Sequence, residues 1–131
     1  MTVRCFELEN DYADIGSWWR AHGWPVVPID HLPPVGIVAE QDGVKLCAVW
    51  LYVLTPVFCA SEWLVTNPNI SAAKAVRSIK LIVSTIREMQ KKSGVQTVWT
   101  SLKHEKLARL FIELGFVQAD SGVSHFISRV T

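Results

Sequence analysis

The stretch Ala60-Ser-Glu-Trp-Leu-Val-Thr-Asn-Pro-Asn-Ile-Ser71, with the amphipathic run that continues to Lys92, decides how the rest of the chain is arranged. It reads as a buried strand that breaks at Asn67-Pro68 and feeds a helix with Ser71 as N-cap. Proline has no N–H to give to a sheet ladder, and a serine oxygen satisfies the free amides at a helix start. From Ala72 the apolar residues fall at Ala72, Ala75, Val76, Ile79, Ile82, Val83, Ile86 and Met89, in steps of three and four that place them on one helical face. Lys74, Arg77, Lys80, Arg87 and Lys91 fall on the opposite face. At about 1.5 Å per residue this helix spans roughly 33 Å, enough to cross one face of a sheet. Ser93-Gly94 ends it. A strand, a loop and a helix start in this order form a unit of the kind that binds anions.

Composition bounds what surrounds that unit. A chain of 131 residues, 50% hydrophobic and 10% aromatic, is expected to be one globular domain with a substantial core. A formal charge of +1 gives no argument for nucleic acid or an acidic membrane as partner. The start Met-Thr-Val-Arg-Cys-Phe-Glu-Leu-Glu lacks the basic and apolar segments of a signal peptide. The longest apolar window, Leu46 to Ala60, is too short to span a bilayer and is broken by Thr55-Pro56. Cys5, Cys47 and Cys59 show no metal-binding or redox spacing, so reduced, buried thiols in a cytoplasmic protein are expected.

In chain order, Val3 to Leu8 alternates as a first strand, and Asn10-Asp11 opens a short helix through Tyr12, Ile15, Trp18, Trp19 and His22, ended by Gly23. Pro25, Pro28, Pro33 and Pro34 make the next segment an extended loop whose Trp24, Asp30 and His31 could line a substrate mouth. Val35–Glu40 and Lys45–Leu54 form strands joined by Gln41-Asp42-Gly43, a hairpin signal. The second is apolar from Leu46 to Leu54, as a strand covered on both faces would be. Val57–Val65 is the strand before the long helix, and Val95–Ser101 the strand after it. Lys103–Leu114 is a second amphipathic helix ended by Gly115, and Phe116–Ala119 and Ser124–Val130 form a closing pair of strands. Trp50, Trp63 and Trp99 are expected to pack in the core, while Trp18, Trp19 and Trp24 flank the mouth.

This order, ending in Phe111-Ile-Glu-Leu-Gly-Phe-Val117, resembles the GNAT family, the acetyl-coenzyme-A-dependent N-acyltransferases. The resemblance covers nearly the whole chain. Its most specific local piece is an aromatic residue four places before Gly-Phe, here Phe111 ahead of Gly115-Phe116. Glu62-Trp-Leu-Val-Thr-Asn-Pro, the basic helix, Val98-Trp-Thr-Ser and a helix from His104 to Leu-Gly-Phe look most like the small GNAT-like proteins of tailed-phage genomes. The resemblance implies an α+β fold: a central mixed, mostly antiparallel sheet of six or seven strands, helices on both faces, and a splay between strands 4 and 5.

It also implies an acetyl-CoA site. Backbone groups of Trp63, Leu64 and Val65 would hold the pantetheine arm, and the helix start would hold the pyrophosphate through Ser71, Ala72 and Ala73. The family's loop pattern Arg/Gln-x-x-Gly-x-Gly/Ala falls here on Ser71, Lys74 and Val76, and none matches. Glycine lets a phosphate approach the main chain, whereas Lys74 and Val76 occupy that space. Lys74 or Arg77 could replace lost amide contacts by charge; the alternative is that both belong to a solvated face and Ser71 is only a cap.

For the chemistry, Glu62 stands where some family members carry their general base and is the only charged residue between Val57 and Val65. The other reading is an outward carboxylate paired with a lysine. The family's tyrosine acid is Phe111 here and has no proton to give. His104, where the family often has asparagine, could shuttle a proton or be a surface residue. Tyr52, His31 and His125 are further candidates without support from spacing. Metalloprotease, serine hydrolase, nucleotide-hydrolase and zinc-finger motifs are missing. Two functions remain. One is acetyl transfer from acetyl-CoA to an amine on a small molecule or protein. The other is a catalytically inactive phage protein used as a binding module or virion component, with a second copy or a virion protein as partner.

Overall fold

Five strands make the sheet: β1 (Thr2–Cys5), β2 (Val35–Gln41), β3 (Val44–Thr55), β4 (Phe58–Thr66) and β5 (Thr97–Thr100), hydrogen-bonded in that order. They belong to a computed structural model that describes residues 1–130. β1 to β4 pair antiparallel and β5 joins β4 in parallel. Asp42 and Gly43, at φ 52° and 75°, make the left-handed turn that a two-residue hairpin between β2 and β3 needs. Helix α1 (Leu8–Ala21) lies between β1 and β2, and α2 (Ala72–Ser93) is the crossover from β4 that parallel pairing requires. A short 3-10 turn, Ile29–His31, sits in the proline-rich loop, and α3 (Glu105–Glu113) follows β5.

The expected α+β fold with a mixed, mostly antiparallel sheet is what forms, with five strands in place of six or seven. Residues 116–130, expected as a closing pair, form no strand, and Val117, Phe126 and Ile127 are exposed. A lone hairpin with no apolar face to pack has little stability of its own. The chain divides into two compact units, the first ending at Ser101 and the second starting at Leu102. In the second, α3 buries Leu110 and Phe111, and the Phe111 and Phe116 rings lie 4.9 Å apart across a turn made by Gly115 at φ 91°.

In the first unit, side-chain alternation gives the sheet two faces. On one, Val38, Ala48, Trp50 and Val65 pack under Ile15, Trp18 and Trp19 of α1. Trp18 and Trp19 are therefore core residues, not part of a mouth: they stand three and four places after Ile15, on the same helical stripe. On the other face α2 buries Ile79, Ile82, Val83 and Ile86. Val76 and Met89, expected inward, are exposed, while Ser78 and Gln90 are buried. Ser78 hydrogen-bonds Cys47, and Gln90 Nε2 donates to Cys59 Sγ at 3.2 Å. Burial pushes the Cys47 thiol up to about 12 and raises that of Cys59, so both stay protonated. Cys5 is exposed, contrary to expectation, because β1 is an edge strand.

One end of the α1 side is closed by charge. Asp11 is fully buried; its carboxylate accepts two Arg4 guanidinium hydrogen bonds at 2.8 Å and the Glu7 amide at 2.8 Å. Lys45 lies 3.3 Å away and also reaches Asp14 at 2.7 Å and the Asn10 carbonyl. Burial alone would raise the Asp11 carboxyl; Arg4, the Glu7 amide and Lys45 outweigh it and hold it at about 2.

Candidate functional site

β4 changes character at its middle. Phe58 to Ser61 pair with Thr97 to Thr100 of β5, and β5 then stops while β4 runs on to Thr66. Thr100 Oγ1 donates to the Ser61 carbonyl at 2.7 Å where the ladder ends. From Trp63 to Thr66, β4 therefore has no β5 partner among the described residues. On the β3 side the register passes from Trp50↔Glu62 to Ala48↔Val65, so Val49 faces two residues, Trp63 and Leu64. This is a β-bulge, and Trp63 takes the left-handed conformation at φ 63°. A side chain rarely adopts that conformation without a surrounding structure that enforces it.

The bulge sets where the side chains go. Glu62 pairs with Trp50 and so stands on the α1 side of the sheet, half-buried. Val65 is buried in the α1-side core and Leu64 is half-buried. Trp63 is 44% exposed, and its Nε1–H donates to Tyr52 Oη at 2.6 Å; that hydroxyl in turn donates to the His31 carbonyl at 2.7 Å. Trp99 is 43% exposed. Of the three strand tryptophans expected in the core, only Trp50 is there. The mouth residues separate: His31 joins Tyr52, Asp30 is exposed, and Trp24 stacks on His22 at 4.9 Å, whose Nε2 lies 2.9 Å from the Thr66 carbonyl.

Where β4 ends, Asn67 fixes the loop into α2. Its amide donates to the Leu46 carbonyl at 2.9 Å, its Nδ2 to the Lys45 carbonyl at 2.9 Å, and its Oδ1 accepts the Asn69 amide at 2.9 Å. Ser71 is the N-cap as expected, accepting the Lys74 amide at 3.2 Å, and Gly94 at φ 78° ends the helix. The Ala72 and Ala73 amides come too early in the helix to have an acceptor within it. Both residues are exposed, as is Arg77, and Lys74 is half-buried; no acidic residue stands in this first turn. The strand edge and the helix start thus follow each other directly along the chain.

His104 is the N-cap position of α3 in the second unit; it is exposed and its side chain makes no capping bond. His125 is exposed too. Periodicity missed the bulge, although one signal was present: Ala60, Glu62 and Val65 share a face at spacings of two and then three. It also missed the Trp63–Tyr52–His31 chain of hydrogen bonds, which joins residues far apart in sequence. Among the described residues no group of three or more His, Cys, Asp or Glu could hold a metal ion, and no helix is long and apolar enough to cross a membrane.

No protein-family profile matches the chain, and no curated protein matches it. Solved structures do. The crystal structure of Rv2747 from Mycobacterium tuberculosis in complex with CoA is similar over 95% of this chain and 76% of its own, with a TM-score of 0.73 at 17% identity. An aminoglycoside 6'-acetyltransferase type Ii is similar over 92% of this chain and 85% of its own, with a TM-score of 0.74 at 12% identity. The GNAT family protein SP0256 from Streptococcus pneumoniae is similar over 98% of both chains, with a TM-score of 0.64 at 15% identity. With its sheet order, its crossover helix and the early end of β5, the chain has the fold of the GNAT acetyltransferases.

Proposed function

We propose that this protein transfers an acetyl group from acetyl-CoA to an amine on a small molecule or protein. The observation that carries this reading is the course of β4 past the end of β5, which leaves main-chain groups of Trp63, Leu64 and Val65 open to a ligand on the β5 side. The residues fit the coenzyme. The extended pantetheine arm would lie along that edge, and the Ala72 and Ala73 amides beside Ser71 would meet phosphate oxygens. Lys74 and Arg77 would add charge where the family's loop has glycine. Rv2747 has a similar fold in complex with CoA, and two other similar structures are aminoglycoside acetyltransferases, which supports acetyl transfer here.

Bound acetyl-CoA would supply a thioester that an amine can attack. Glu62 is the base: its carboxylate would take a proton from the acceptor ammonium and free the amine to attack that thioester. A proton would also have to reach the departing sulfur. The buried, protonated Cys47 and Cys59 give no nucleophile for a covalent route and suit a reducing cytoplasm.

A second reading, a non-catalytic binding module of phage type, is favoured by Phe111. It fills the family's tyrosine position and is buried in contact with Phe116. A thermal shift with acetyl-CoA tests the first reading. Millimolar ligand is expected to raise the melting temperature, and Lys74→Glu with Arg77→Glu to reduce the rise. An unchanged melting temperature in the wild type would overturn coenzyme use. Binding without turnover on any amine would favour the module. Glu62→Gln is expected to flatten the pH profile of turnover, and an unaltered profile would remove Glu62 as base.

A further inference from the structure

The bulge in β4 turns a side chain across the sheet. Alternation after Glu62, which stands on the α1 side, would point Trp63 toward α2. Its indole instead reaches Tyr52, which follows Trp50 by two residues and so projects on the α1 side. The extra residue opposite Val49 and the φ of 63° at Trp63 make that turn, since a bulge re-aims the side chain it carries. A positive φ at a residue other than glycine persists only where its neighbours enforce it.

The hydrogen bonds at Tyr52 supply that enforcement. An indole N–H can only donate and a main-chain carbonyl can only accept, so the direction of both bonds is fixed. Trp63 Nε1 donates to Tyr52 Oη at 2.6 Å, and Oη donates its one proton to the His31 carbonyl at 2.7 Å. Donating makes the hydroxyl a better acceptor, so the second bond supports the first. The carbonyl is itself held in place. His31 closes the turn Ile29–His31, its amide donating to the Pro28 carbonyl at 2.9 Å, and Leu32 beside it packs on the α1-side core. Earlier in the same loop, Tyr12 Oη donates to the carbonyl of the buried Val27 at 2.8 Å. Pro25, Pro28, Pro33 and Pro34 stiffen the backbone around these anchors. The loop is therefore a fixed post, and Tyr52 ties the bulge to it.

We infer that the Tyr52 hydroxyl is a positioning group for the coenzyme: through Trp63 Nε1 it holds Trp63 in the left-handed conformation that shapes the β4 main chain where acetyl-CoA docks. The inference rests on the coenzyme reading of that edge. Tyr52 acts through Trp63 and does not touch the ligand. Without the hydroxyl, a fraction of the molecules relaxes out of the positive φ, and the apparent affinity falls in proportion to the fraction that keeps the bulged form. One neutral hydrogen bond sets the scale of that loss at about fivefold.

Calorimetry with acetyl-CoA on the full chain, paired with hydrogen exchange of the tryptophan indoles by NMR, tests this. Tyr52→Phe and Trp63→Phe each remove one bonding partner and keep a ring in its place. Each is expected to weaken acetyl-CoA about fivefold, and the double variant no more than Tyr52→Phe alone, because the two groups act as one unit. The Trp63 indole signal is identified by its absence from the Trp63→Phe spectrum. In Tyr52→Phe its N–H is expected to exchange about fivefold faster. A folded Tyr52→Phe protein with wild-type affinity, or losses that add in the double variant, would overturn the positioning role. If the wild type binds no acetyl-CoA, the coenzyme reading falls and indole exchange decides the rest: faster exchange in Tyr52→Phe upholds the hold on Trp63, and an unchanged rate removes it.

Discussion

Two halves of one sheet face behave in opposite ways. At the end under α1, Asp11 is buried with Arg4, Lys45 and the Glu7 amide all turned to it, and Trp50 is packed between Phe6 and Trp19. At the end beyond α1, two tryptophans lie near half exposed, a strand bulges, and a residue other than glycine holds a positive φ. The first half satisfies the buried Asp11 carboxylate and leaves the buried Trp50 Nε1 without a hydrogen-bond partner among the described residues; the second accepts exposure and backbone strain. Strain and exposed aromatic surface lower stability, so they persist where something other than stability is being served. The difference separates residues that keep the fold from residues whose exposure and strain the fold does not require.

The largest expected effect lies in the closed half. Asp11→Ala should cost about 3 kcal/mol in chemical denaturation, since it strips a buried carboxylate from Arg4 and Lys45. The same carboxylate gives a pH signature. Its value is held near 2 when folded against an ordinary 3.8, so its contribution is complete above about pH 4 and fades as pH falls toward 2. About 2 kcal/mol should be lost across that window, and Asp11→Asn should remove the slope. Next comes Gly36→Ala. A Cβ there would meet Trp50 Nε1 at 2.5 Å and the Phe6 Cβ at 2.7 Å, both in a packed core. A loss of about 2 kcal/mol is expected, as for overpacking. A mild effect at both positions would mean that the closed half is no tighter than the open one.

Smaller effects sharpen the open half. Trp63→Gly should be more stable than Trp63→Ala by about 1 kcal/mol, reversing the usual order within strands, because glycine alone takes a left-handed φ without cost. The ordinary order would show that the bulge does not hold Trp63 where it stands. Trp99→Ala should change stability by no more than about 0.5 kcal/mol, as at other surface positions.

Much of the frame was legible in the residues. Ser71 and Gly94 bound α2 at the places their chemistry favours, and Asp42-Gly43 turns the hairpin. What was not legible follows from two physical facts. Strand membership does not decide burial: Trp50 lies beneath α1, whereas Trp99 is 43% exposed and outside that core cluster, and both read as apolar strand residues. A bulge adds a residue without changing composition, so Trp63 looked like a core tryptophan until its neighbours across the ladder were known. The opposite error fell on Trp18 and Trp19, whose spacing from Ile15 already placed them inside. In the candidate site, Ser71 and the order of strand and helix were readable. The link from Trp63 through Tyr52 to His31 was not, since it depends on a loop carbonyl that no side-chain pattern encodes.

The distribution of the three cysteines offers a handle on the molecule. Cys47 and Cys59 are buried as thiols, while Cys5 is open on the edge strand at the opposite border of the sheet from Trp99. A maleimide dye should therefore attach to native protein at one place without mutagenesis. Four strand spacings, about 19 Å, would separate its attachment point from β5, close enough for an indole to transfer excitation to it.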